Sequence, residues 1–143
     1  MKLQTRLMMI ICSLLLFVIV FLTFLFQHMF DETLKQQIGM RALNVAETVA
    51  STPLVRESFR DPDPSVRLQP FAEYIRRKTG AEYVVIGNRQ GIRYAHPLPD
   101  RIGKPMVGGD NGEVLKGKAI ISEAVGSLGP AIRGKAPVLD ENG

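Results

Sequence analysis

The chain has 143 residues, 18 Lys and Arg against 14 Asp and Glu, a formal charge of +4, and 45% apolar residues. That length accommodates one compact domain plus an appendage. No basic patch interleaved with aromatics is present, which excludes nucleic-acid binding and leaves small anions as partners.

The apolar residues are unevenly spread. Leu7 to Phe26 is a run of twenty residues without a charge, in which only Cys12, Ser13 and Thr23 are mildly polar. At about 1.5 Å per residue it reaches across the roughly 30 Å hydrocarbon core of a bilayer. No small-x-small cleavage site follows, so the run reads as an uncleaved signal anchor. Lys2 and Arg6 precede it, and Asp31 and Glu32 are the first charges after it. The positive-inside rule then places residues 1–6 in the cytoplasm, a transmembrane helix at 7–27 in the cytoplasmic membrane, and the remainder outside. Cys12, the sole cysteine, lies in the span, so the exported part has no disulfide framework. It reads as a small residue tolerated among apolar ones, with a cross-link between two copies as the alternative.

Leu34, Ile38, Val45 and Val49 recur at helical spacing, with Ala42 and Ala46 on the same face. They predict an amphipathic membrane-proximal helix over 28–50, whose stripe packs on its own domain or pairs with a second copy. Pro53 ends it and fits the first turn of another helix. In "DPDPSVRLQPF", Asp63 is an expected N-cap and Pro64 a first-turn residue of a helix ending at Gly80. Val66, Phe71 and Ile75 form its expected buried side.

From Glu82 the pattern changes to strands. "EYVVIGN", the turn "NRQG" and "IRYAH" predict a hairpin. The stretch "PLPDRIGKPMVGGDNGEVLK" is a long loop with one helical turn after Asp110, and loops of this length usually serve a function. "AIISEAV", "GSLG" and "PAIRGKAPVLD" then read as strand, turn and strand. The closing "DENG" is a turn signal with no strand after it, so the chain is expected to be a C-terminally truncated piece of a longer protein.

Paired catalytic carboxylates, a glycine-rich phosphate loop, an HExxH motif and a plausible cysteine nucleophile are all missing from the sequence. An exported enzyme ranks last among the readings. His28 falls at the membrane edge, and His96 alone makes neither a catalytic nor a zinc site.

Binding is better supported. Arg133 and Lys135, two apart, share one strand face. Arg93 and His96, three apart, fall on opposite faces unless the turn at Pro97 swings His96 back. Ser127 and the amides of the "GSLG" turn offer neutral donors, with Gly126 and Gly129 permitting a tight backbone. A cavity so lined repels itself when empty and calls for a polyanion. The competing reading is solvated charge on half-buried strands, and spacing does not decide between the two.

"GIRYAHP", "RIGKPMVGGD" and "SLGPAIRGKAPV", in that order, resemble the extracytoplasmic sensor domains of citrate and C4-dicarboxylate sensor histidine kinases, most closely the citrate branch. The resemblance covers residues 80–143 and implies an α+β, PAS-like domain over 51–143. Its antiparallel sheet has five strands in the family, the last missing here, and is flanked by helices. The absent fifth strand is central, which leaves the first and fourth unpaired. The resemblance implies that Arg93, His96, Arg133 and Lys135 contact the carboxylates of citrate. It likewise implies a donor turn from Gly126, Ser127 and Leu128, and a lining contact from Met106. The dicarboxylate branch usually has an apolar residue where Lys135 stands, so Lys135 argues for a third carboxylate. One departure is the lack of a ligand-facing threonine in "YVVIG", which offers Val84, Val85 and Ile86 instead.

The function implied is the receptor part of a two-component sensor histidine kinase: a membrane protein, dimeric, signalling to a cytoplasmic response regulator. Its ATP-dependent kinase part lies outside this chain, and no cofactor or metal is expected within it. The alternatives are a malate or fumarate sensor, the ligand-binding part of a chemoreceptor, and an interaction module without a small ligand.

Overall fold

A computed structural model describes residues 2–142. The chain divides into two units, Met1–Gln37 and Ile38–Gly143. A single helix, α1, covers Leu3–Ser51, so the stretches expected at 7–27 and 28–50 fall within one element.

In the first unit every described side chain is exposed. Its most apolar window has a mean hydropathy of 3.1, and the helix is long and apolar enough to cross a membrane. The polar groups inside it are managed locally. Thr23 Oγ1 donates to the Ile19 carbonyl at 2.8 Å, which ties its hydroxyl within the helix. Phe17 and Phe21, one turn apart, stack with centroids 6.1 Å apart.

The second unit begins within α1 and adds α2 (Pro53–Ser58), α3 (Ser65–Thr79), β1 (Ile86–Gly87), β2 (Arg93–Ala95), α4 (Gly112–Leu115), β3 (Ile120–Gly126) and β4 (Gly129–Lys135). Pro53 opens α2, where its missing N–H costs nothing. Asp63 acts as the expected cap, its Oδ1 accepting from the Ser65 N–H at 3.0 Å, although regular helix starts after Pro64. Gly80 ends α3 at φ 69°, a left-handed conformation that glycine adopts without penalty.

The core gathers Val49, Val55, Leu68, Ala72, Ile86 and Ala95, with Val45, Phe71, Ile75 and Tyr94 packed against it. Phe71 and Ile75 of α3 thus pack against the core as expected, and Val66 does not. Val66 is 70% exposed, whereas Leu68 and Ala72 point inward. Leu68, Ala72 and Ile75 keep the 3–4 spacing of one helical stripe, and Val66 falls off it.

Two antiparallel ladders form, β1 with β2 and β3 with β4, in place of one continuous sheet. Each of these four strands pairs on one side only. β1 is only two residues long and carries a register shift at Ile86–Gly87, well short of "EYVVIGN". β4 ends at Lys135, and residues 136–140 are irregular rather than strand. The β3–β4 register is regular, with Ser122 opposite Arg133 and Gly126 opposite Gly129. Gly134 lies flat on α1, where a β-carbon would come within 2.1 Å of the Leu43 amide nitrogen. That contact fixes β4 against the helix and sets Arg133 and Lys135 on either side of it.

Candidate functional site

All eight residues singled out in the sequence line one cavity of about 880 Å³. They are Arg93, His96, Met106, Gly126, Ser127, Leu128, Arg133 and Lys135. The wet-surface reading of the cations does not hold. Arg93 is 4% exposed, and the side chains of Arg133 and Lys135 are 9% and 18% exposed.

Arg93 comes from the inward face of β2 and shares it with Ala95. Among the described residues its guanidinium has no hydrogen-bond or ion-pair partner. Burial, and then the positive charge of Arg101, lower its pKa, yet a guanidinium stays protonated. It is a buried cation without a protein counter-ion.

His96 follows β2 at the turn into Pro97 and is 3% exposed. Its backbone is held by Gln69 of α3. Gln69 Nε2 donates to the His96 carbonyl at 2.8 Å, and the His96 N–H donates to Gln69 Oε1 at 2.9 Å. This side-chain rung replaces a strand partner and brings His96 back to the side of Arg93. His96 Nδ1 lies 3.0 Å from the Leu98 N–H, which donates to it, and 3.3 Å from the Leu98 carbonyl, while Nε2 lies 3.1 Å from Ser127 Oγ. Burial, and then Arg93, hold the imidazole below its ordinary pKa, so it is neutral at pH 7 in the empty site.

Gln69→Leu should cost about 2 kcal/mol of stability, because it strands a buried N–H and a buried carbonyl. Thermal denaturation measures that loss, and a ligand affinity that falls together with it would confirm the anchoring of His96. Unchanged stability would contradict it.

On the far wall, the cations do not simply repel each other, as expected from the sequence. Asp110 stands between them. Lys135 Nζ donates to Asp110 Oδ1 at 2.6 Å and to Asn111 Oδ1 at 2.6 Å. Arg133 Nη1 lies 3.3 Å from Asp110 Oδ1, and Arg133 Nε donates to the Tyr83 hydroxyl at 3.0 Å. Ser122 Oγ donates to Asp110 Oδ2 at 2.5 Å. Burial raises the pKa of Asp110, but the hydrogen bonds from Lys135 and Ser122 more than offset it and hold the carboxylate below its usual range.

Gly126 serves space rather than backbone freedom, which corrects its expected role. A β-carbon there would fall 2.1 Å from Arg133 Nη2, and its φ is not positive. The conformational glycine of the turn is Gly129, at φ 103°. Met106 packs over Gly87, while Leu128 is 39% exposed at the rim.

Gln69, Tyr83, Asp110, Asn111 and Ser122 were not singled out in the sequence. Only Asp110 carried a signal, as the one charge in a glycine-flanked turn of the long loop. Among the described residues, no group of three or more His, Cys, Asp or Glu could hold a metal ion.

A family model described as single cache domain 3 matches residues 29–143. Sensor protein CitS of Halalkalibacterium halodurans is 50% identical over 141 residues, 98% of this chain and 26% of CitS. Sensor histidine kinase CitA of Klebsiella pneumoniae is 37% identical over 114 residues, 79% of this chain and 21% of CitA. The chain thus spans about a quarter of the length of the curated relatives it matches. The crystal structure of the Escherichia coli DcuS sensor domain superposes with a TM-score of 0.71 at 31% identity, covering 76% of this chain and 81% of that one. The α+β, PAS-like expectation is thereby met.

Proposed function

Because the chain belongs to the single cache domain 3 family, we propose that it is the receptor part of a membrane sensor histidine kinase and takes a small di- or tricarboxylate, citrate first, into this cavity. The observation that carries the reading is Arg93: a residue 4% exposed that lines the cavity and whose guanidinium meets no carboxylate among the described residues. Such a charge lacks a partner in the empty site, and a ligand carboxylate would supply one through charge-assisted hydrogen bonds. Citrate, the ligand that the sequence resemblance implies, is the first to test, beside the likeness to the sensor proteins CitS and CitA.

A ligand carboxylate on Arg93 and His96 and a second on the far wall would tie the two hairpins together. The closed state is favoured by the difference in binding energy alone. Its movement would be passed to α1, on which Gly134 rests, and from there to a dimeric kinase and its response regulator. A dicarboxylate sensor is the second reading. It is favoured by Asp110, which already neutralises one cation of the far wall.

Titration calorimetry of the detergent-solubilised chain with citrate, malate and fumarate tests the proposal, with saturable binding of at least one acid expected. Absence of heat with all three would refute it.

His96 gives the binding a proton signature. Its pKa in the empty site is lowered, and a carboxylate beside it raises that pKa, so binding takes up protons as the pH falls toward and below about 6.5. Calorimetry in two buffers of different ionisation enthalpy should show this uptake for an acid that is itself fully ionised there. The uptake should vanish in His96→Gln. The same depression makes the empty fold lose stability as the pH falls below about 6.5, since the unfolded imidazole protonates first.

A further inference from the structure

The cations of the far wall are met by a carboxylate of the protein's own. Asp110 Oδ1 accepts from Lys135 at 2.6 Å and lies 3.3 Å from Arg133 Nη1, the positions a ligand carboxylate would take. It follows two glycines whose backbone freedom allows the loop a second conformation. Gly108 and Gly109 precede it at φ 131° and 67°, conformations that only glycine adopts freely. A β-carbon on Gly108 would fall 2.4 Å from Arg133 Nη1. Among the four groups Arg93, Arg133, Lys135 and Asp110 the net charge is two positive while His96 is neutral, with Arg41, Arg89 and Glu82 also on the cavity lining. Two charges match a dicarboxylate, whereas a tricarboxylate needs the third.

We infer that Asp110 is a built-in competitor for the ligand: it occupies Arg133 and Lys135 in the empty receptor, stays for a dicarboxylate, and must swing out for a tricarboxylate. The inference rests on the carboxylate-receptor reading and names what sets ligand charge within it. Lys135 does not by itself select citrate, because its charge is already taken. Selection lies in the balance between Asp110 and the ligand's third carboxylate. Ser122, donating to Asp110 Oδ2, holds the competitor in place.

Calorimetry on the full chain in detergent, with citrate and malate on the same preparation, tests the inference. Asp110→Asn should tighten citrate about 10-fold and change malate less than about 3-fold, since only citrate gains a freed cation. Ser122→Ala, a milder change that keeps the carboxylate, should move the ratio the same way by a smaller factor. A citrate-to-malate ratio unchanged in both variants would overturn the inference. Equal weakening of both acids would also overturn it, as expected if Asp110 merely orients Arg133. Failure of the unsubstituted chain to bind any carboxylate would overturn the receptor reading instead, and the inference with it.

Discussion

Arg93→Met is expected to lower carboxylate affinity by about 100-fold or more while leaving the empty domain as stable as before, or more stable. The two effects have one cause. A bidentate guanidinium–carboxylate pair contributes two charge-assisted hydrogen bonds, each about 1.5–3 kcal/mol. At 1.4 kcal/mol per decade their joint loss is on the order of 100-fold or more. In the empty site those bonds do not exist, and Arg93 is a desolvated cation repelled by Arg101. Replacing such a charge by an apolar side chain of similar reach is neutral or stabilising. Thermal denaturation without ligand and calorimetry with it read the two halves separately. A variant that loses stability and keeps affinity would show that Arg93 serves the fold.

Gly126→Ala is expected to weaken binding by about 10-fold while the melting temperature changes little. The new methyl would fall 2.1 Å from Arg133 Nη2. The obstructed atom is the far end of a flexible side chain, so the guanidinium moves and the ladder does not. Moving it breaks the bond from Arg133 Nε to the Tyr83 hydroxyl and shifts the group away from Asp110. Gly126 has no positive φ, so alanine brings no backbone strain. An unchanged affinity would mean that Arg133 does not need its present position to hold the ligand. Collapse of the fold would mean that the ladder, and not Arg133, gives way.

The outline of the fold was legible because its signals are local. Pro53 and Gly80 mark helix ends through their own backbone preferences, and the structure uses both as expected. The β3–β4 hairpin follows from alternation and the "GSLG" turn. Val66 of α3 was misread because apolar type alone did not separate it from Leu68, and the packing of α2 and β2 decided between them. Strand lengths at β1 and β4 were overstated because pairing depends on a neighbour, which propensity does not report.

The cation positions were legible for the same local reason, two residues apart on one strand and three apart just ahead of a proline turn. What surrounds them was not. Asp110 meets Lys135 across 25 residues of chain, Gln69 meets His96 across 27, and Tyr83 meets Arg133 across 50. Such pairs have no spacing rule. Their consequence is chemical, since Arg133 and Lys135 already meet Asp110 in the empty site whereas Arg93 meets no carboxylate among the described residues.

The most direct test of the central claim, that the cavity around Arg93 holds a small carboxylate, is a calorimetric titration of the chain with citrate at two salt concentrations. The account predicts saturable one-to-one binding that survives at the higher salt, because buried pairs are little screened. It also predicts that this binding is abolished in Arg93→Met. Binding that fades steeply with salt, does not distinguish citrate from other small acids and persists in Arg93→Met would contradict it.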